Sequence, residues 1–598
     1  VIVMAQDVTE RVSPERAGRL SRHVRFFLWR SKKGMPAPLC EVRVERGIQI
    51  PMPDGTRQLA DRYVPQADEP CPTLLVRTPY GRGFPYDYMY GAMFAQQGFT
   101  VVLQSCRGTA GSGGEFEPFV SEAADAQATV AWLREQEWFT GALGTIGASY
   151  LGFTQWALAA DPPPELKAMV IQVSSDDFYN FLYPGGALAL EATLTGVSSM
   201  VAQHRGLGAT TAALLRLLRT YKKVERSVPL LESYGPAFGR RVPWFEEWLR
   251  HPAAGDPYWE SRRARPAIAA APPVSLLGGW SDVVLDDTLS SYQRLRAAGR
   301  ETRLIVGPWN HSSGFNQDMP TVFTEALGWL RAHLSAPAGP VASASPVASV
   351  GTVASVGTQA EPPGPTPVRV HVGEIGRPGQ WRDLADWPPP ESTRQQWRPR
   401  GDGALIPGSR EPGTPEGDPD GSTVATVRYD PASPTPSVGG PRMDSLGFGP
   451  KRNNAVEVRE DVLVYTSEPL AEPLDVIGPV SIRLRVRGSG PCFDVFARLC
   501  DVDEKGTSWN ICDGLIRLAD GPGRSGSGWA DIEVAMSSTA HRFSAGHRLR
   551  VQLSGGAHPR FARNTGTPGQ IATATSMVPA DIEISLASAA LFLPVGAR

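Results

Sequence analysis

From residue 41 to about 175, short apolar runs alternate with helical stretches: Thr73 to Val76, Val101 to Leu103, a helix over Ser121 to Glu137, then Gly144 to Ile146 and Ala168 to Val173. Strand, helix and strand in succession call for parallel strands joined by crossover helices, in a sheet covered on both faces. The alternation is broken once. Residues 184 to 270 lose the strand signal and read as helical, most clearly over Ala212 to Tyr221 and Pro243 to Arg250. Strands then return at Val274 to Leu277 and Leu304 to Val306, with a helix near Thr321 to Leu334. The expectation is an α/β body formed by 1–175 and 272–334, interrupted by a helical cap over 176–271. Ahead of the body, Arg16, Arg19, Arg22 and Arg25 recur among Leu20, Val24, Phe27 and Leu28, predicting a basic amphipathic helix over 11–33 that docks on the protein.

Residues 335–365 are mostly Ala, Val, Ser, Gly, Pro and Thr and carry a direct repeat, Val347 to Thr352 and Val353 to Thr358. With little large apolar surface to bury, the segment reads as a flexible linker. Beyond it the period becomes two: Val480, Ile482, Leu484 and Val486 alternate with Ser481, Arg483 and Arg485, and Leu549, Val551 and Leu553 alternate with Arg550 and Gln552. Half-buried antiparallel strands follow, predicting an all-β jelly-roll sandwich over 366–598.

The 598 residues hold 59 basic and 61 acidic side chains, a net charge of −2. No positive field draws the chain to phosphate backbones, so nucleic acid is not an expected partner. No run reaches the roughly 18 apolar residues of a spanning helix, and the apolar opening Val1 to Ala5 is too short for a signal-peptide core. A cytoplasmic protein without a membrane partner is expected, and self-association into a homo-oligomer is compatible with the sequence. Six scattered cysteines without CxxC spacing suggest neither disulfides nor zinc. HExxH, P-loop and strand-anchored G-x-G-x-x-G motifs are absent, so neither metal nor organic cofactor is expected.

The most informative stretch is Gly144-Thr-Ile-Gly-Ala-Ser149-Tyr-Leu-Gly152, in which a short strand runs into glycines bracketing a serine, followed by a helix over Phe153 to Ala160. A nucleophile on a sharp strand-to-helix turn projects its hydroxyl above the sheet. The usual G-x-S-x-G form is altered, with Leu151 in fifth place and glycine one position later, and a simple Gly/Ser turn is the alternative. A serine needs a base, and the base needs an orienting acid. Both occur in the order Ser, Asp, His, each just after a predicted strand: Gly278-Gly279-Trp280-Ser281-Asp282 and Gly307-Pro308-Trp309-Asn310-His311. Asp176, Asp177, Asp286 and Asp287 are rival acids, whereas His204, His251, His333 and His558 lack a strand-end setting. The backbone N–H of Tyr150 supplies one oxyanion donor. A second comes from the loop Arg77-Thr78-Pro79-Tyr80-Gly81, where the Tyr80 hydroxyl is the candidate and a packed tyrosine the alternative.

With these residues assembled, the chain resembles the CocE/NonD family of serine hydrolases, the group of cocaine esterase, α-amino-acid ester hydrolases and X-Pro dipeptidyl peptidases. The resemblance runs through Met52-Pro53-Asp54-Gly55-Thr56, Thr78-Pro79-Tyr80, Arg107-Gly108 with Ser112, Gly114 and Phe116, the Ser149, Asp282 and His311 motifs, and then Tyr429-Asp430-Pro431, Val464 to Leu470, Asp513-Gly514 and Pro559 to Asn564. It implies an α/β-hydrolase body, a helical cap and a carboxyl-terminal jelly roll. It also implies Ser149 as nucleophile, His311 as base, Asp282 as orienting acid, and Tyr80 with Tyr150 as the oxyanion hole. Ser105 departs from the family, which has Asp two residues before the Arg-Gly pair, and the linker is longer than the family needs.

The expected activity is hydrolysis of a small ester or amide through an acyl-enzyme, falling on the acid side as His311 takes a proton. An esterase needs an apolar acyl pocket, for which Trp244, Phe245 and Trp248 of the cap are candidates. An X-Pro dipeptidyl peptidase or α-amino-acid ester hydrolase must also bind an ammonium group, for which Asp176 and Asp177 are candidates, capping or solvated carboxylates being their alternative role. A non-catalytic binding protein on the same fold is the remaining reading.

Overall fold

The computed structural model describes residues 9–11, 34–334, 366–408, 424–443, 447–519, 528–568 and 571–596. The linker 335–365 and the expected helix over 11–33 lie outside these residues, except that Arg11 closes a short strand, β1 (Thr9–Arg11).

A hairpin opens the body, β2 (Val42–Pro51) and β3 (Arg57–Pro65), turned by Asp54-Gly55, where Gly55 takes φ +81° and the Asp54 carboxylate accepts from Thr56 N–H at 3.0 Å. Then come β4 (Thr73–Thr78), β5 (Thr100–Ser105), β6 (Leu143–Ala148), β7 (Leu166–Gln172), β8 (Val274–Gly279) and β9 (Thr302–Gly307). Pairing gives the order β1-β2-β3-β5-β4-β6-β7-β8-β9, parallel from β5 onward. All residues of β4, β5, β8 and β9 are buried, as a sheet covered on both faces requires. Leu74 and Val76 of β4 pack with Phe94, Phe323 and Leu327 on one side, while Leu75 packs with Val130, Phe153 and Trp156 on the other. The chain steps outward from β4 to β5 and then returns past β4 to β6. Strand order therefore reverses beside β4, and such a reversal opens a crevice at the carboxyl ends of the strands.

Between β7 and β8 the described elements are helical, from Phe178–Leu182 to Ile268–Ala270, with Leu190–Ala202, Leu207–Glu225 and Pro243–Arg250 the longest. After the linker the sandwich does not begin at 366. Strands β10 (Val368–Glu374) and β11 (Gln380–Leu384) continue the body's sheet, β10 lying parallel to β9 through Val368↔Leu304 to Val370↔Val306. The far end of β10 pairs Gly373 and Glu374 with His541 and Arg542, so one strand joins the body to the next layer.

The remaining chain forms two antiparallel sheets. One contains Leu474–Gly488, Ala530–Phe543 and Ala580–Val595, and the other Val462–Thr466, Phe493–Val502, Ser508–Leu518 and Arg548–Ser554. Val480, Ile482, Leu484 and Val486 meet Leu549, Val551 and Leu553 in a shared core, while Arg483, Arg485 and Arg487 stay exposed, as the period of two requires. The chain is thus a mixed α/β body followed by an all-β domain. Among the described residues no helix is long and apolar enough to cross a membrane.

Candidate active site

Ser149 sits between β6 and the helix Tyr150–Leu158, at φ 58° and ψ −124°. A non-glycine residue there costs about 1–3 kcal/mol, so its surroundings must hold it. They do so from several sides: Ser149 N–H donates to the Gln172 carbonyl of β7 at 2.9 Å, and the Ser149 carbonyl accepts from Gly152 N–H at 2.9 Å and Ser174 Oγ at 2.7 Å. The glycines follow from contact. A Cβ on Gly147 would lie 2.4 Å from Leu151 Cβ, and one on Gly152 would lie 2.4 Å from Ser174 Cβ. Leu151 stands in the motif's fifth place because its side chain fills the space that Gly147 leaves, and Gly152 lets Ser174 reach the turn.

Asp282 and His311 lie on neighbouring loops after β8 and β9. Trp280 N–H donates to the Gly307 carbonyl at 3.0 Å and Ser281 N–H to the Trp309 carbonyl at 2.9 Å, which ties the loops together. Gly279 permits this contact, since a Cβ there would stand 2.3 Å from the Trp309 carbonyl oxygen. Asn310 closes the second loop, its side-chain oxygen accepting from Ser313 N–H at 2.8 Å. His311 Nδ1 lies 2.8 Å from Asp282 Oδ1 and Nε2 lies 2.9 Å from Ser149 Oγ. A carboxylate only accepts, so Nδ1 carries the proton and Nε2 is left to accept from the serine. Asp282 is buried, which keeps water from competing for His311.

Tyr80 follows β4, with its N–H donating to Thr78 Oγ1 at 3.0 Å and its ring stacked on Tyr86 at 5.6 Å. Burial pushes its phenol up to about 12, against the opposing pull of its contacts with the Ser149 side chain and the Tyr150 backbone. The group therefore stays a neutral donor beside Ser149. Tyr150 has a buried side chain whose hydroxyl donates to Glu122 Oε1 at 2.9 Å and accepts from Phe119 N–H at 2.9 Å.

A cavity of about 300 Å³ opens onto Ser149 and His311. Its walls include Tyr86, Met89, Phe178, Phe181, Met200 and Phe315, together with Met443 from beyond β11, and the neutral polar Gln203; none of the described lining residues is Asp, Glu, Lys or Arg. The substrate-contact residues expected from the sequence are elsewhere. Asp176 is held by both terminal nitrogens of Arg294 at 2.9 Å. Asp177 caps Phe178–Leu182 and accepts from Arg263 at 2.8 Å. These carboxylates are spent on ion pairs and a helix start. Phe245 and Trp248 are buried in the core, Trp248 stacking on Phe119 at 5.9 Å, and Trp244 meets Phe116 edge-on at 6.4 Å. They fasten the cap to the body and do not line the cavity. The aromatic and methionine walls that replace them come from five separate segments, with no local signal beyond apolarity.

Ser105, the departure noted above, is fully buried and accepts from Arg82 at 2.6 Å, while Arg82 pairs with Asp61 of β3 at 3.2 Å. The carboxylate opposite Arg82 thus comes from the adjacent strand.

Residues 54–313 match the model of the X-Pro dipeptidyl-peptidase (S15) family, and residues 360–586 match that of the X-Pro dipeptidyl-peptidase C-terminal non-catalytic domain. The chain is 33% identical to the cocaine esterase of Rhodococcus sp. (strain MB1 Bresler), over 88% of this chain and 93% of that one. An aminopeptidase from a marine sediment Thaumarchaeota archaeon and an α-amino-acid ester hydrolase share the fold, each with a TM-score of 0.72 and 20% identity, covering 93% and 94% of this chain and 97% and 98% of theirs. A third of the aligned positions identical over 88% of the chain, with the fold described above, makes this protein a member of the CocE/NonD family of serine hydrolases.

Proposed function

We propose that the chain is a carboxylesterase acting on small esters with an uncharged acyl group, through Ser149, His311 and Asp282. The observation that carries the reading is the cavity at Ser149, aromatic and methionine-rich, with no carboxylate among its described walls. Such a space suits an apolar acyl chain and offers an ammonium group no carboxylate among its described walls. Asp176 and Asp177, the candidates for that task, are neutralised by Arg294 and Arg263.

Ser149 Oγ attacks the ester carbonyl as His311 Nε2 takes its proton, and Asp282 stabilises the imidazolium. The Tyr80 hydroxyl and Tyr150 N–H receive the developing oxyanion. Collapse breaks the bond to the alcohol, which leaves with the proton from His311. Water then attacks the acyl-enzyme, His311 again taking and returning the proton, and the acid is released.

The test compares p-nitrophenyl butyrate, an α-amino-acid ester with its amine free or blocked, and an X-Pro p-nitroanilide. Hydrolysis of the butyrate, indifference to blocking, and fluorophosphonate labelling lost in Ser149→Ala are expected. A preference of tenfold or more for free amines would replace the reading with the peptidase or amino-acid ester hydrolase, and folded wild-type protein that takes no label would favour a binding protein.

A further inference from the structure

Strands β4 and β6 are hydrogen-bonded only from Thr73↔Leu143 to Leu75↔Thr145. Past that point β4 stays paired with β5 as far as Thr78↔Ser105, and β6 with β7 as far as Ala148↔Gln172, but not with each other. The sheet therefore opens between them just below the two oxyanion donors. Tyr80 follows one splayed end and Tyr150 the other.

A buried polar chain crosses this gap. Arg77 of β4 faces Glu122, its guanidinium 3.0 Å from Glu122 Oε2 and donating to the Glu122 carbonyl at 2.7 Å. Glu122 Oε1 takes the Tyr150 hydroxyl at 2.9 Å. On the β4 side the next residue, Thr78, accepts Tyr80 N–H through Oγ1 at 3.0 Å. Arg77 is also fixed by Gln104 at 3.1 Å, and Glu122 opens the helix Glu122–Arg134, where the helix dipole favours a carboxylate. Arg77 is 3% exposed, Glu122 2% and Tyr150 0%. An ion pair so deeply buried is a poor source of stability compared with apolar packing, so its place here points to a geometric task.

We propose that Glu122, braced by Arg77, is the positioning residue of the oxyanion hole: by gripping the Tyr150 hydroxyl it sets the Tyr150 N–H at a fixed separation from the Tyr80 hydroxyl across the opening of the sheet. Glu122 does not touch the substrate. Its effect comes through Tyr150, whose backbone turns together with its anchored side chain. The inference rests on the esterase reading and adds the residue that keeps the hole in register.

The experiment uses the full chain with Tyr150→Phe, which deletes one hydroxyl, and Glu122→Gln, which keeps an acceptor for Tyr150 but weakens the pairing with Arg77. With p-nitrophenyl butyrate, kcat should fall about 10- to 100-fold in Tyr150→Phe, and less in Glu122→Gln, with KM within about threefold. The second readout is inhibition by n-butylboronic acid. Its boron accepts an electron pair from Ser149 Oγ as the proton passes to His311, giving a tetrahedral anion with an oxygen in the hole. Its inhibition constant should rise with the fall in kcat, while the acid limb of the pH profile stays in place. A merely structural role would lower the melting temperature and leave kcat and boronate affinity, measured where the variant is folded, within about twofold of wild type. That result overturns the proposal. Should Glu122→Gln fail to fold, Tyr150→Phe decides alone. Wild-type protein that neither cleaves the ester nor takes a fluorophosphonate overturns the esterase reading itself, which is a separate outcome.

Discussion

Tyr80 gives the sharpest test at the scale of single residues, because one hydroxyl separates it from phenylalanine. Losing a preorganised oxyanion donor costs about 10²–10³-fold in kcat. Tyr80→Phe should show that loss with p-nitrophenyl butyrate and little change in KM. The phenol's raised pKa has a sign for stability as well. A group that holds its proton more tightly when folded contributes fully below the ordinary tyrosine value of 10, and that contribution is lost as pH rises toward about 12. Alkaline unfolding followed by tyrosinate absorbance should therefore lag behind the titration of exposed tyrosines. That Ser149, Asp282 and His311 come together is legible because each follows a strand in a short motif, and a strand end is where a parallel sheet presents side chains. Asp176 and Asp177 satisfy the same rule, and what separates their capping or ion-pair role from ligand binding is hidden in the sequence, since their partners Arg294 and Arg263 lie far along the chain and carry no pattern that links them.

Among the elements, the crossed loops after β8 and β9 depend on one missing side chain. Gly279→Ala would push a methyl group against the Trp309 carbonyl, a clash that side-chain motion cannot relieve. Overpacking of this kind costs about 1–3 kcal/mol, and the strain falls on the loop that carries Asp282. A lowered melting temperature should accompany a loss of kcat, whereas Gly299→Ala, with open space at its Cβ but a φ of +69°, should lower stability and leave kcat near wild type. Elements with a strong local period were read well, such as Pro243–Arg250, where a proline starts the helix and Phe245, Trp248 and Leu249 form its buried face. Helix Leu207–Glu225 extends beyond the expected Ala212 to Tyr221 because its first turns are Gly- and Thr-rich and give a weak apolar period. Strands β10 and β11 fall within the range expected of the sandwich yet pair in the body's sheet. Val368, Val370 and Val372 alternate like sandwich residues, and only pairing with β9 decides which sheet they join.

On the scale of the whole molecule, β10 links body and sandwich by pairing with both. A fragment ending at 365 would leave β9 as a bare edge and uncover apolar Leu304 and Val306, so it should lack the cooperative melt of the full chain in circular dichroism. Met443 lines the cavity from beyond β11. Met443→Ala should shift kcat/KM toward longer acyl chains by about tenfold, measured as the hexanoate to acetate ratio. Acid should also weaken the fold through His558, which is buried. Burial, with Arg563 nearby, lowers its pKa from 6.5 to about 4. The unfolded chain therefore takes up this proton first, and about 3 kcal/mol of stability present above pH 6.5 is lost as pH falls through 4. Urea midpoints across this range should drop less steeply in His558→Phe. Since the chain after the linker supplies both Met443 on the cavity wall and the strand that pairs with β9, exchanging it between relatives would carry part of their selectivity along with it. Chimeras joined within the 335–365 linker offer a route to new specificities that leaves Ser149, Asp282 and His311 untouched.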